Sequence, residues 1–147
     1  MALTLEDRLA LRSLVDAYAE AVDRKDAEAV AALFAPDGRM VVPDPDRPGD
    51  VLGDRSGRDD ILDALGHLHR YSELTHVVGG QVLRDGPVVT GVTTCVANHV
   101  YERHDEIRLL VMGIHYHDTY RREADAWCFA ERDLRIGWRD DRILSSR

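Results

Sequence analysis

The sequence predicts an α+β protein: three N-terminal helices packed on a strongly curved, mostly antiparallel sheet, a cone-shaped α+β barrel. Three observations carry this. Apolar residues recur at helical spacing in the first seventy positions. Beyond Arg70 the pattern changes to period two. The later strands are long and joined by tight turns, which favours antiparallel pairing and strong curvature. Helices closing one side of such a sheet leave an interior suited to a small ligand.

The first helix is expected from Leu3 to Val22, because Leu11, Leu14, Val15, Tyr18 and Val22 fall on one face. Ala17, Ala19 and Ala21 favour helix, and Thr4 with Asp7 resembles a capping box. Asp26 can cap a second, shorter helix carrying Val30, Leu33 and Phe34, ended by a turn at Pro36-Asp37-Gly38. A short strand, Arg39 to Val42, should follow. PDPDRPGD, from Pro43 to Asp50, holds three of the five prolines and reads as a surface loop. SGRDDILDALGHL supplies a third helix with Ser56 as N-cap and Ile61, Leu62 and Leu65 on its apolar side. Strands are expected at about 73–84, 88–103, 107–122 and 127–138, separated by Asp85-Gly86-Pro87, His104-Asp105-Glu106 and Glu123-Ala124-Asp125. Gly79-Gly80 reads as a bend in the first of them.

A length of 147 residues suits one domain spanning 1–147. No apolar run approaches the roughly 20 residues of a membrane span, and no signal peptide is evident. The net charge is −8 and the one lysine is Lys25, which argues against nucleic-acid and membrane partners. Cys95 and Cys128 lack CxxC spacing and read as buried thiols of a cytoplasmic protein. No GxSxG, P-loop or GxGxxG motif occurs.

Four stretches could carry chemistry. Asp23 ends the first apolar stripe, at the negative end of the helix dipole. It is either a solvated helix end or a carboxylate aimed into the cone, where desolvation would raise its pKa. His76 shares a strand face with Leu74 and Val78, as a satisfied core histidine or as a base if a carboxylate lies within reach. His99 falls in phase with Cys95, Ala97 and Tyr101. In GIHYHDTY, His115 and His117 alternate with Tyr116, Asp118 and Tyr120, so one set faces the cone. The HxH pairs His67/His69 and His115/His117 lack an obvious third ligand, and no metal is expected. Arg132 and Arg135 could hold a carboxylate or oxyanion of a ligand, or form surface ion pairs.

Tyr18-x4-Asp23, Asp26, Leu33-Phe34, Asp37-Gly38, Gly57-Arg58-Asp59-Asp60-Ile61, Thr75-His76 and Tyr116-x-Asp118-x-Tyr120 followed by Trp127 resemble, in order and spacing, the SnoaL-like family. That family belongs to the superfamily of nuclear transport factor 2 and ketosteroid isomerase. The resemblance implies a cofactor-independent dehydratase, isomerase or cyclase of the scytalone dehydratase and bile-acid 7α-dehydratase type. It implies His76 as base, Asp23 as its orienting partner, and Tyr18 and His99 as groups that polarise the substrate. Tyr116 and Arg132 or Arg135 would bind it. The chain departs from ketosteroid isomerase, having Ala97, Asn98 and His99 where that enzyme carries acidic groups. The expected substrate is small and mostly apolar, such as a polyketide, steroid or aromatic compound. The alternative is a non-catalytic ligand-binding or assembly module, like a dioxygenase small subunit. The half-polar outer sheet face predicts a homodimer, with a trimer as the other possibility.

Overall fold

The structure is a computed structural model that describes residues 2–44, 46–47 and 49–146. Helix α1 (Leu5–Asp23) begins with the expected capping box: Thr4 accepts from the Asp7 amide, and the Asp7 carboxylate accepts from the Thr4 amide. Asp7 is also held by Arg122 and Trp127 from the far end of the chain. The Trp127 indole, the Thr4 contacts and Arg122 together keep its carboxyl well below the usual carboxylate range. The stripe Leu11, Leu14, Val15, Tyr18 and Val22 is buried, as its spacing requires.

The C-terminus of α1 matters more for function. Lys25 adopts φ 58°, its amide donates to Val22 O, and the Asp26 amide donates to Ala21 O. These two bonds are a Schellman turn. It stops the helix directly after Asp23 and fixes where that carboxylate points. Asp26 then caps α2 (Ala27–Ala32) by accepting from the Ala29 amide.

Six strands form one sheet in the order β2-β1-β6-β5-β4-β3. They are β1 (Phe34–Pro43), β2 (Val51–Ser56), β3 (Glu73–Arg84), β4 (Val89–Arg103), β5 (Glu106–Glu123) and β6 (Ala126–Ile143). Every neighbouring pair is antiparallel except β1 with β6. The sheet is open, with β2 and β3 as its edges. Turns His104-Asp105 and Ala124-Asp125 have positive φ at both positions, the geometry of type I′ hairpins whose twist matches that of the strands. The Gly79-Gly80 bend is present as a register shift between Val78 and Gln81. A second shift lies at Gly113, where the Trp138 indole crosses so closely that a Cβ would meet it at 2.1 Å. Packing of α1 on β3 and β6 buries the core around Val15, Phe34, Ile61, Ala97 and Phe129.

Several expectations need correction. Phe34 is the first residue of β1, not the end of α2, and Pro36-Asp37-Gly38 lies within the irregular start of that strand, where the register on β6 shifts. Strand β2 was not foreseen. It is short, half-exposed and stabilised by pairing with β1, a long-range gain with no local signature. The Pro-rich loop spans 44–50, and Pro45 and Pro48 lie outside the described residues. Helix α3 (Arg58–Ala64) is capped by Gly57 at φ 86°, not by the Ser56 side chain. Instead the Ser56 amide donates to Asp60. A 3-10 helix, Leu65–Arg70, continues α3. Among the described residues no helix is long and apolar enough to cross a membrane.

Candidate active site

Asp23 and His76 are 53 residues apart and meet where the end of α1 lies over β3. His76 Nδ1 is 2.6 Å from Asp23 Oδ1, and the His76 amide donates to both carboxylate oxygens at 3.1 Å. One residue thus grips the carboxylate through its backbone and its ring. An ionised carboxylate only accepts, so the ring proton resides on Nδ1 and the Nε2 lone pair is left free. The His76 side chain is 5% exposed and lines an apolar cavity, whereas Asp23 is 28% exposed and does not line it. The picture of Asp23 as a carboxylate desolvated inside the cone is therefore corrected: it reaches the imidazole from behind.

His99 stands on β4, its ring 5.4 Å from that of His76 and 4.5 Å, edge-on, from Tyr71. It is 8% exposed, and neither ring nitrogen has a hydrogen-bond partner among the described residues. Burial, with positive charge on His76, His67 and Arg70 in support, pushes its pKa down to about 3. It is a neutral imidazole facing the cavity with hydrogen-bonding capacity unspent. Tyr18 also lines the cavity. Its hydroxyl meets the Met40 thioether, at 3.9 Å, a weak acceptor. Tyr116 packs edge-on against Tyr18 with ring centroids 5.8 Å apart. Burial raises the pKa of both tyrosines, so both hydroxyls stay protonated as donors.

The two arginines expected at the ligand behave otherwise. Arg132 is fully buried behind the cavity wall, donating through Nε and Nη2 to both oxygens of Asp118 at 2.8 Å. Its guanidinium also lies 4.0–4.2 Å from the ring centroids of Tyr18, Tyr116 and Phe129. Asp118 neutralises its charge, Nη1 is left buried without a hydrogen-bond partner among the described residues, and the side chain does not line the cavity. Arg135 is on the outer face of β6, paired with Asp133 at 3.0 Å. Period two decided this: three residues along a strand reverse the face. His115 and His117 likewise point outward while Tyr116, Asp118 and Tyr120 point in. Among the described residues no three His, Cys, Asp or Glu side chains gather into a metal-holding group.

The cavity and the open solvent at its mouth together span about 690 Å³. Its walls are mainly apolar, from Met40, Leu65, Leu68, Met112, Ile114 and Ile136. The sequence reading missed Leu52, Arg70 and Tyr71 at the mouth. Leu52 belongs to the unforeseen β2, and Arg70 and Tyr71 end a 3-10 helix whose direction no periodicity encodes.

A helix-covered curved sheet holding a His–Asp pair and a second, unpartnered histidine at an apolar cavity defines a class of small α+β cone proteins. A sequence profile of the SnoaL-like domain matches residues 3–133, and the chain belongs to that family. Solved structures share the fold. A scytalone dehydratase-like protein of Novosphingobium aromaticivorans is 19% identical, with a TM-score of 0.78 over 97% of this chain and 91% of its own. A type 2 hexachlorocyclohexane dehydrochlorinase, LinA, is 17% identical, with a TM-score of 0.80 over 97% and 92%. The type 3 LinA of Novosphingobium barchaimii is 18% identical, with a TM-score of 0.77 over 97% and 93%. No curated protein sequence matches the chain.

Proposed function

We propose that this protein is a cofactor-independent lyase or isomerase acting on a small, mostly apolar substrate, and that elimination is its reaction. The observation that carries the reading is the Asp23–His76 contact at 2.6 Å beside an open apolar cavity. His76 Nε2 removes a proton from a carbon next to a carbonyl or a leaving group. Asp23 holds the tautomer and stabilises the imidazolium that forms. Tyr18 and His99 donate to the oxygen that gains charge or departs. Dehydration and loss of hydrogen chloride, the reactions in the names of the structural neighbours, both follow this course; ring closure of a polyketide would use the same groups. The open cavity favours this over a purely structural module. Single-domain organisation over 1–147 and a cytoplasmic setting belong to the same proposal.

The test is a panel of small cyclic β-hydroxyketones, whose dehydration yields an enone absorbing in the near ultraviolet. His76→Ala should abolish conversion, and Asp23→Asn should lower kcat by at least roughly 100-fold. Near wild-type turnover in both variants would sink the reading.

A homodimer through the outer sheet face is also proposed. Val77, Val96 and Trp138 are exposed there, and the rim pairs Asp133 with Arg135 and Asp140 with Arg142. Such a locally balanced rim lets two copies of a chain with net charge −8 approach without strong repulsion. Sedimentation should show a dimer that Trp138→Glu dissociates; a monomeric wild type refutes it.

A further inference from the structure

The cavity mouth opens onto a second, polar groove, and Arg70 and Tyr71 line both. We propose that the ligand is amphiphilic: an apolar body in the cavity that ends in a carboxylate held by Arg70 at the mouth. This extends the elimination reading by naming the substrate class, and it rests on the cavity being the ligand site.

Arg70 is placed rather than loose. Its guanidinium lies over the Tyr71 ring at 5.0 Å, and its Nη2 donates to the Tyr71 hydroxyl at 2.8 Å. Tyr71 in turn stands edge-on to His99 at 4.5 Å, so the cation is one ring removed from the reactive groups. No carboxylate pairs with Arg70 among the described residues, although the chain has 27 acidic side chains against 19 lysines and arginines. Planar guanidinium and carboxylate match through two parallel hydrogen bonds, and a stacked guanidinium keeps its edge free for that contact.

Arg103 also lines the polar groove, but of the two only Arg70 lines the apolar cavity as well. Arg132, at the deep end, has its charge neutralised by Asp118 and does not line the cavity. Arg139, on the groove wall, is paired with Asp46 and Asp141. The polarity gradient therefore fixes orientation: the apolar end enters first, toward Met112 and Ile114, and the acid stays at Arg70. Burying a carboxylate deeper, among apolar walls and without a free cation, would carry a large desolvation cost.

The experiment measures binding, so it does not depend on turnover. Calorimetry would compare 1-naphthylacetate with its neutral isostere 1-naphthylacetamide on wild type, Arg70→Gln, Arg103→Gln and His76→Ala. Wild type and His76→Ala should bind the acid at least about tenfold tighter than the amide. Arg70→Gln should bring the two within about twofold, while Arg103→Gln keeps the preference. Arg70 is exposed, so its variant should fold, and an unchanged Tm confirms this. Equal binding in wild type, no binding of the acid, or an acid preference surviving Arg70→Gln overturns the proposal. Preference without any turnover in the dehydration panel would sink the elimination reading and leave this one standing.

Discussion

Two contacts between a carboxylate and a side-chain nitrogen, Asp118 with Arg132 and Asp23 with His76, differ in what they leave unfilled. Asp118 and Arg132 meet twice at 2.8 Å, with neither side chain exposed, inside a cage of Tyr18, Tyr116 and Phe129. Asp23 and His76 meet at 2.6 Å, and the carboxylate keeps an edge toward solvent. The first pair uses its charges on each other and on aromatic faces, which suits it to hold the cavity floor. The second leaves Nε2 of the imidazole uncommitted on a side chain that lines the cavity. Proximity of a carboxylate to a side-chain nitrogen thus does not distinguish scaffold from chemistry. The uncommitted nitrogen on a cavity-lining side chain does.

The sharpest way to break this comparison is to remove one partner of the sealed pair. Asp118→Ala leaves a fully buried, uncompensated guanidinium and should cost about 3–5 kcal/mol in denaturant unfolding. A loss below about 1 kcal/mol would show that Arg132 is not committed to Asp118. The double change Asp118→Leu with Arg132→Met should recover most of that loss, because apolar groups of similar volume avoid the desolvation penalty.

A middle-sized effect concerns His99. Its pKa is about 3 when folded against 6.5 for an ordinary histidine, so between these values the unfolded chain binds the extra proton. The stability that neutral His99 permits is complete above pH 6.5 and falls as pH drops toward 3, by up to about 1.4 kcal/mol per unit. Unfolding measured between pH 6.5 and 5, above the range where carboxylates titrate, should show this slope in wild type and a shallower one in His99→Gln, the remainder coming from His67 and His117, whose pKa values burial also lowers. An unchanged slope would place the acid sensitivity elsewhere.

The smallest expected effect is on stability at the open pair. Asp23→Asn keeps an oxygen to accept from the His76 amide, so unfolding free energy should change by no more than about 1 kcal/mol. Its large effect is reserved for turnover. A loss as great as that of Asp118→Ala would move Asp23 to the scaffold.

Legibility in the sequence followed the range of the interaction. The α1 stripe, the Thr4–Asp7 box, the Asp26 cap and the four long strands are local patterns, and all are present. The failures lie where pairing is non-local. β2 exists because β1 offers it an edge. The start of β1 is drawn into the sheet by β6, against the turn residues Pro36-Asp37-Gly38. At the site, the resemblance pointed to Asp23 and His76 together, whereas spacing alone left each with two readings. Arg132 or Arg135 was expected at the ligand because a buried arginine on the last strand could hold an oxyanion and because the resemblance implies one there, and nothing in the sequence marks Asp118 as the partner of Arg132.

By itself the sequence determined the α1 stripe, its capping box and the four long strands with their order, because periodicity and caps act over a few residues. Strand β2, and which face of the later strands turns inward, came from the tertiary structure. Tertiary structure alone decided which charges are spent and which remain free. That depends on atoms from distant segments arriving within about 3 Å of each other, and on whether water or side chains fill the space left over.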